Sequence, residues 1–535
     1  MKKIEKLSNP ITSLAIKNNP GAFMQQDGTL SLELFTQKGM SQWVASGLGG
    51  RLLYANALGW MVYNDETGAF TAEYGAAVLQ NILMFYTDLL FENVRLVSPR
   101  SQESAFKFYR TYQSRACIEA VGALMQKRGD VFCIPAEFDV DDGVINCNGI
   151  VVSTDGTTRT ATPDDRFTMS ATVRPEDGET PVFDGFLEWA TCGNDELKGW
   201  LLTACGVALF GHVTDRITNF YGNGSNGKGT LLRTLQKIMR GYATALPRSL
   251  VIKEKYSNSR FDKAGLPGKR AAILYDLKPD QGRLNLDELK SIAGDGDEVF
   301  VEKKGLDGYS CRLKCKVFIA SNDKIPIDSF GKSEKKRFRL VPFNAELEAK
   351  DSGLEDRFVP EYGKILNLFI QYAVKYYADW QKMPPCRAID IATEQYFNDQ
   401  DLVKQFLEDS EAFAIQEYAI KTDFYTKFEQ YCMYQQGIRR PMKIKTFTNE
   451  LEKRGIYEHF KKIDGKSARV FSRKDTATQK TPEFNLDFTF SGKSGANLNL
   501  YNSCAAVSPT TAAESESSLY QDEKKRRLWE AGEIF

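Results

Sequence analysis

The chain has 535 residues, enough for several domains, because single hydrophobic cores stop growing well short of that length. Its 42% hydrophobic and 26% charged residues are ordinary globular composition, which excludes a wholly disordered or fibrous chain. Lysine plus arginine balance aspartate plus glutamate at 70 each, so net charge argues neither for nor against nucleic acid.

The first residues, MKKIEKLSNPITSLAIKNN, are broken by charge and by Pro10 before any apolar run develops, so no secretory signal is expected. Residues 1–130 mix strand-like and helix-like runs with turn signals at Gln26-Asp27-Gly28 and Asn64-Asp65-Glu66-Thr67-Gly68. They read as an α+β N-terminal region to which no chemistry can be assigned. In residues 131–212 the stretch from 185 is helical in pattern and reads as a collar preceding a motor. Its apolar run, Trp200 to Phe210, is too short to span a bilayer. The ten cysteines are scattered without a CxxC pair, as buried thiols in a reducing compartment would be. A soluble cytoplasmic protein with no membrane partner is the expectation.

The most informative segment is RITNFYGNGSNGKGTLLRTLQKIMRG. Ile217 to Tyr221 reads as a short buried strand, and Leu231, Leu232, Leu235 and Ile238 recur at helical spacing, placing a helix start near Lys228. Between them Gly222, Asn223, Gly224, Ser225, Asn226, Gly227 and Lys228 fit GxxxxGK. Glycines let the backbone wrap phosphates with successive N–H groups turned inward, and the helix start adds a positive field. Lys228 is placed to reach the outer phosphates of ATP. Gly229 stands where most such loops carry the Ser or Thr that holds Mg²⁺, and Thr230 follows one residue later. One residue along a helix turns a side chain by about 100°, so Thr230 suits an outer phosphate contact better than direct metal coordination.

Ala271 to Asp276 is a continuous apolar strand ending in a carboxylate, with Asp276 suited to orient Mg²⁺ or an attacking water. Thr230 and Asp276 are thus the candidate metal-side oxygens. Residues 298–314 alternate β-formers around a Gly/Asp turn, a hairpin pattern. Lys303 and Lys304 at its tip and Tyr309 close by suit phosphate contact and base stacking on single-stranded DNA, and equally an ordinary solvated tip. Lys316 to Asn322 forms a second strand whose Asn322 suits sensing of the γ-phosphate. In KKRFRLVPF, Arg337 and Arg339 are guanidiniums able to reach a nucleotide held by a neighbouring subunit. These elements set a motor at 213–345 and a helical connector at 346–391.

Residues 392–475 show amphipathic helices, and Lys443 to Gly455 resembles a winged-helix recognition segment, with Lys461, Lys462, Lys466, Arg469 and Arg473 nearby to grip duplex phosphates. Residues 476–535 are rich in Ser, Thr, Ala, Asn and Gly and read as a flexible tail with a short terminal helix.

The order GNGSNGKGT, ILYD, GDGDEVFVEKK, FIASN and KKRFRLVPF resembles the poxvirus-type, superfamily-3 DNA helicase of phage and plasmid primase-helicases. The resemblance runs over roughly residues 130–475 and includes Phe138 to Val152, Pro163 to Thr168 and Phe183 to Leu187 as a helicase-associated region. It implies an AAA+-like core, hexameric rings, ATP with Mg²⁺, movement along single-stranded DNA and a replicative role in a phage or mobile element. Residue by residue it makes Lys228 the phosphate lysine, Asp276 the catalytic carboxylate where the family usually has Glu, Asn322 the sensor and Arg337 the arginine finger, with Arg339 next. The fold class is therefore α/β: a P-loop AAA+-like motor between an α+β N-terminal region and a helical, winged-helix-like C-terminal domain.

Three other readings share some of these motifs. Asp139 and Asp141 form the DxD of a primase, but the only histidines, His212 and His459, fall where that site has no use for them, so priming would belong to a separate protein. An ATP-switched initiator that binds origin duplex DNA without unwinding shares every motif. A nucleotide kinase is suggested by GKGT alone, and neither the depth of the loop in the chain nor the arginine segment suits it.

Overall fold

The computed structural model describes residues 2–17, 20–140, 143–211, 217–252, 262–278, 280, 282–294, 298–302, 308–327, 332–346, 351–409, 418–435 and 441–473. The tail expected at 476–535 lies outside the described residues.

Helix α1 (Lys2–Lys17) buries Leu7, Ile11 and Ala15, one residue per turn, in the N-terminal core. Helix α2 (Gln37–Ser46) is capped by Thr36, whose hydroxyl accepts the Gly39 N–H at 3.0 Å. Strands β1 (Leu52–Ala55), β2 (Gly59–Asn64) and β3 (Ala69–Thr71) form an antiparallel meander. Helices α3 (Gly75–Asn93), α4 (Gln102–Tyr112) and α5 (Arg115–Met125) follow. Strand β4 (Phe132–Cys133) then returns parallel to β1, giving the sheet order β3-β2-β1-β4. Helices and a small sheet share one core there, an α+β arrangement.

A second meander of β5 (Val144–Cys147), β6 (Ile150–Ser153) and β7 (Thr158–Thr160) leads to helix α6 (Pro181–Ala190). Pro181 opens α6 where its missing N–H costs nothing. The next two donors, Val182 and Phe183 N–H, are taken at 3.0 Å each by the buried Glu361 carboxylate from far along the chain. Helix α7 (Asp195–Phe210) is apolar almost all round and buried almost all round, as that pattern requires. It packs on the helix Tyr362–Ala378 so closely that a Cβ at Gly206 would lie 2.2 Å from the Phe369 carbonyl oxygen.

The central layer is a parallel sheet. Strand β8 (Ile217–Tyr221) runs into helix α8 (Lys228–Met239), followed by β9 (Ala243–Ala245) and β10 (Ala271–Leu277). A hairpin of β11 (Glu298–Val301) and β12 (Tyr309–Arg312) precedes β13 (Lys316–Ser321) and β14 (Phe338–Pro342). The order is β14-β8-β13-β10-β9 with every pair parallel. The apolar runs that make up these strands are what burial on both faces demands. The edge at β14 is covered by the helix Arg387–Gln400: the Leu340 N–H donates to the Thr393 hydroxyl at 3.0 Å, and Tyr396 stacks on Phe338 with ring centroids 5.1 Å apart.

The helix Leu402–Asp409 opens a small domain with its own core of Phe406, Phe424, Phe428, Phe447 and Phe471. Strand β15 (Ala419–Ile420) leads into helices Lys421–Gln430 and Ile444–Glu452, then into a hairpin of β16 (Ile456–Ile463) and β17 (Lys466–Arg473). The sheet order is β15-β17-β16. The sequence pattern suggests amphipathic helices in a winged-helix-like domain here, with a helical reading that runs on into KSARVFSRKD. From Ile456 onward the chain is strand instead, turned at Asp464-Gly465, both with positive φ. The whole is a mixed α/β fold, and among the described residues no helix is long and apolar enough to cross a membrane.

Candidate nucleotide site

All strands of the central sheet are parallel, so the carboxyl ends of β8, β10 and β13 open on the same edge, where ligands of such sheets bind. The segment after β8 is held there by contacts that leave no room for a side chain at Gly222 or Gly227. A Cβ at Gly222 would lie 2.1 Å from the Phe343 carbonyl oxygen, which accepts the Asn226 side-chain amide at 2.8 Å. At Gly227, φ is +89° and a Cβ would meet the Phe186 ring at 2.9 Å. Gly227 also precedes α8 without a side-chain cap, which leaves the first N–H groups of a twelve-residue helix facing the loop.

Lys228 is only 5% exposed, yet its ammonium is satisfied. It donates to the Gly222 carbonyl at 2.7 Å, to Asn226 Oδ1 at 2.8 Å and to Asn322 Oδ1 at 3.3 Å. Burial lowers its pKa to about 8, and the charge of Asp276 opposes that shift. The loop lysine and the residue after β13 thus meet, and the acid of β10 is near enough for its charge to act on that lysine.

Asp276 owes its position to a bulge. Leu274 pairs with Ile319 and Leu277 with Ser321, so two residues of β10 oppose one of β13. Asp276 takes φ +55°, which Asp tolerates better than most residues, and is exposed at the strand end. Its neighbour Tyr275 turns inward and donates to Gln236 Oε1 at 3.0 Å, with its phenol pushed up to about 12 by burial.

Thr230 lies in the first turn of α8, half-buried, and accepts weakly from Arg233 at 3.5 Å. Arg233 itself is bound at 2.6 Å by Glu355, which also takes Lys237 at 2.9 Å. A Cβ at Gly229 would lie 2.7 Å from the Arg233 guanidinium, so the glycine there matches a neighbour already held in place. Sequence reasoning passed over Arg233, Glu355 and the Phe186 wall. Glu355 is 122 residues from Arg233, a separation that carries no local signal.

The arginines sit elsewhere. Phe338 pairs with Ile217 and Pro342 with Tyr221, so Arg337 and Arg339 start the strand that ends beside the loop. At about 3.3 Å per residue, Arg337 is more than ~13 Å back along the sheet from the loop of its own chain. Arg339 donates to the carbonyls of Lys335 and Phe338 at 2.8 and 3.0 Å.

On the β11–β12 hairpin, Tyr309 pairs with Val301 and is half-buried, its phenol pushed up to about 12 by burial. Phe300, which the sequence did not single out, is 49% exposed. Lys303 and Lys304 lie outside the described residues. Asp139 of the DxD is engaged in the fold, accepting from the Thr168 N–H at 2.9 Å and from its hydroxyl, while burial raises its pKa. Asp141 and His212 are outside the described residues.

Among the described residues no group of three or more His, Cys, Asp or Glu side chains is placed to hold a metal. Asp276 and Thr230 place side-chain oxygens at this edge of the sheet, and a magnesium ion shared with nucleotide phosphates needs only one or two carboxylates.

Comparison with known proteins gives two family matches. Residues 42–192 match the family described as D5 N terminal like, and residues 220–338 match a family of unknown function, DUF5906. No curated protein matches the chain. Among solved structures, the A form apo structure of the NrS-1 C terminal region is 14% identical, covers 68% of this chain and 91% of that one, and has a TM-score of 0.40. An apo structure of the same region is similar at 14% identity, 68% and 90% coverage and a TM-score of 0.40. The first family match begins at residue 42, well upstream of residue 130, where the sequence motifs begin to resemble a helicase-associated region.

Proposed function

We propose that the chain is an ATP-dependent replicative DNA helicase of the phage primase-helicase kind, with an AAA+-like P-loop motor that works as a homo-oligomeric, hexameric ring on single-stranded DNA. The observation that carries the reading is the split of the site. Lys228, Asn226, Asn322 and Asp276 share one edge of the sheet, and Arg337 starts a strand at the other.

Lys228 is held by three neutral acceptors, which the phosphates of ATP replace with charge. Asp276 on its bulge orients the attacking water, Asn322 fixes the outer phosphate relative to Lys228, and the exposed N–H groups of α8 hold the anion. Asp276, with Thr230 nearby, would hold a Mg²⁺ ion at this edge, and that ion would supply neutralisation of the phosphate charge. Arg337, too far from its own loop, serves the site of the next subunit. The match to the D5 N terminal like family supports placing the chain in replication.

A second reading, an ATP-switched initiator on origin duplex DNA, is favoured by the small C-terminal domain. Its two helices and hairpin are ordered as in a winged helix, and the hairpin carries Phe460, 68% exposed, with the Arg469 guanidinium 5.3 Å from its ring. Strand separation by the purified chain on a forked duplex distinguishes the two. The helicase reading expects ATP-dependent separation that Lys228→Ala abolishes, and nucleotide-dependent duplex binding without separation would put the initiator first.

A further inference from the structure

The proposed site gives the phosphates of a nucleotide their partners but leaves its nucleoside without a place. Lys228 meets Asn322, which follows β13, and feels the charge of Asp276 at the end of β10. In the sheet order β14-β8-β13-β10-β9 both strands lie on one flank of β8, so the loop that follows β8 has its phosphate-sensing groups on that side. The other end of the same ligand is left to the opposite flank, beyond β14.

An aromatic pair from α6 stands there. Phe186 and Trp189 are three residues apart on that helix and share a face of it. A Cβ at Gly227, the residue before Lys228, would lie 2.9 Å from the Phe186 ring and 3.2 Å from that of Trp189, so both rings press on the end of the loop. Trp189 is also tied to the segment after β14, because its indole N–H donates to the Glu346 carbonyl at 3.2 Å.

The two rings offer different things. Phe186 is 5% exposed and enclosed by Phe183 and Phe358, with centroids 6.0 and 5.5 Å away. Trp189 lies 6.2 Å from Phe186, tilted by 42°, and is only half-buried, which leaves part of the indole open beside the loop. Its one polar atom is already bound to Glu346, so the ring is fixed in orientation and has only its π surface left to recognise a ligand. Glu188, next to Trp189 in the chain, and Glu346 are both exposed. Their carboxylates repel a phosphate and leave an uncharged base unopposed.

We propose that Trp189 stacks on the base of the bound nucleotide, with Phe186 backing the ring against Gly227. The proposal rests on the nucleotide-binding part of the reading above and names the nucleoside side of that site. Stacking reads a flat face rather than an edge, so Trp189 adds affinity for a nucleoside without choosing among bases.

The test is calorimetric titration of the full chain with a non-hydrolysable ATP analogue and with inorganic triphosphate, which offers phosphates without a nucleoside. The parent chain should bind the analogue the more tightly. Trp189→Leu, which keeps apolar bulk against Gly227 but has no π face, should weaken the analogue by at least about fivefold, the effect of one lost stacking contact. Triphosphate affinity should stay the same, and Trp189→Phe, which keeps a ring, should recover most of the loss. Circular dichroism establishes that both variants are folded. Equal losses for the analogue and for triphosphate would reduce Trp189 to packing on the loop and overturn the proposal. Unchanged analogue affinity in Trp189→Leu overturns it too, as does a parent chain that binds both ligands equally well. A parent chain that binds neither rejects the nucleotide reading itself, and the proposal with it.

Discussion

The nucleotide loop and the N-terminal region are both held by buried polar side chains, but at different range along the chain. In the loop, Lys228 reaches Asn226 two residues away and Gly222 six residues away, and only Asn322 comes from a distant strand. Between the N-terminal region and the motor the equivalent anchor is Asn146, on β5 and fully buried. Its amide donates to the carbonyls of Thr67, Gly68 and Met169 at 2.8, 3.0 and 3.1 Å, its Oδ1 accepts from Gly149 N–H at 3.0 Å, and its backbone N–H reaches the Tyr242 hydroxyl at 3.2 Å. One asparagine thus ties the β2–β3 turn to the segment that precedes α6 and to the residues just after α8. A local network builds a site that can open to a ligand, whereas a long-range one fixes two regions to each other.

The comparison can be broken by substitution. The largest effect is expected at Arg337→Ala, which should lower hydrolysis by about a thousandfold or more while nucleotide affinity, measured by titration, stays the same. A parallel loss of affinity would place Arg337 in the binding site of its own chain and undo the split site. Asn146→Ala leaves several buried backbone groups without partners and is expected to cost about 2–4 kcal/mol in urea unfolding, with hydrolysis per folded molecule little changed.

Glu361→Ala strips two N–H donors of α6 of their acceptor and should cost about 1–3 kcal/mol by the same measurement. The smallest effect is a proton. Because the pKa of Lys228 is lowered to about 8 from 10.5, the unfolded chain binds more protons between those values and folding stability rises with pH through that window. Phosphates favour the charged lysine, so nucleotide binding near pH ~8.5 should take up a fraction of a proton. Calorimetry in buffers of different ionisation enthalpy reads this, and in Lys228→Met the uptake should vanish.

The same difference in range decides what the sequence revealed. Ile217 to Tyr221, the loop and Lys228 were legible because a buried strand, a glycine-rich turn and a helical repeat follow one another without interruption. Asp276 was legible as the end of an apolar strand, but the bulge that turns it out was not, since it depends on the register with β13. Apart from Gly149, three residues from Asn146, the partners of the Asn146 anchor, the Glu361 cap and the Arg233–Glu355 pair are 23 to 179 residues away and leave no local pattern. The strands β16 and β17 left little trace because IYEHFKKI and KSARVFSR carry no regular two-residue alternation of apolar and polar residues.

The most direct test of the split site is a mixing experiment. Lys228→Ala protein and Arg337→Ala protein, each inactive alone, are combined at varied ratio and assayed for hydrolysis stimulated by single-stranded DNA. If Arg337 serves a neighbour, mixed assemblies pair an intact loop with an intact arginine, and part of the activity returns with a maximum at intermediate ratio. No recovery at any ratio, in mixtures shown by labelled subunits to have exchanged, would contradict the shared site.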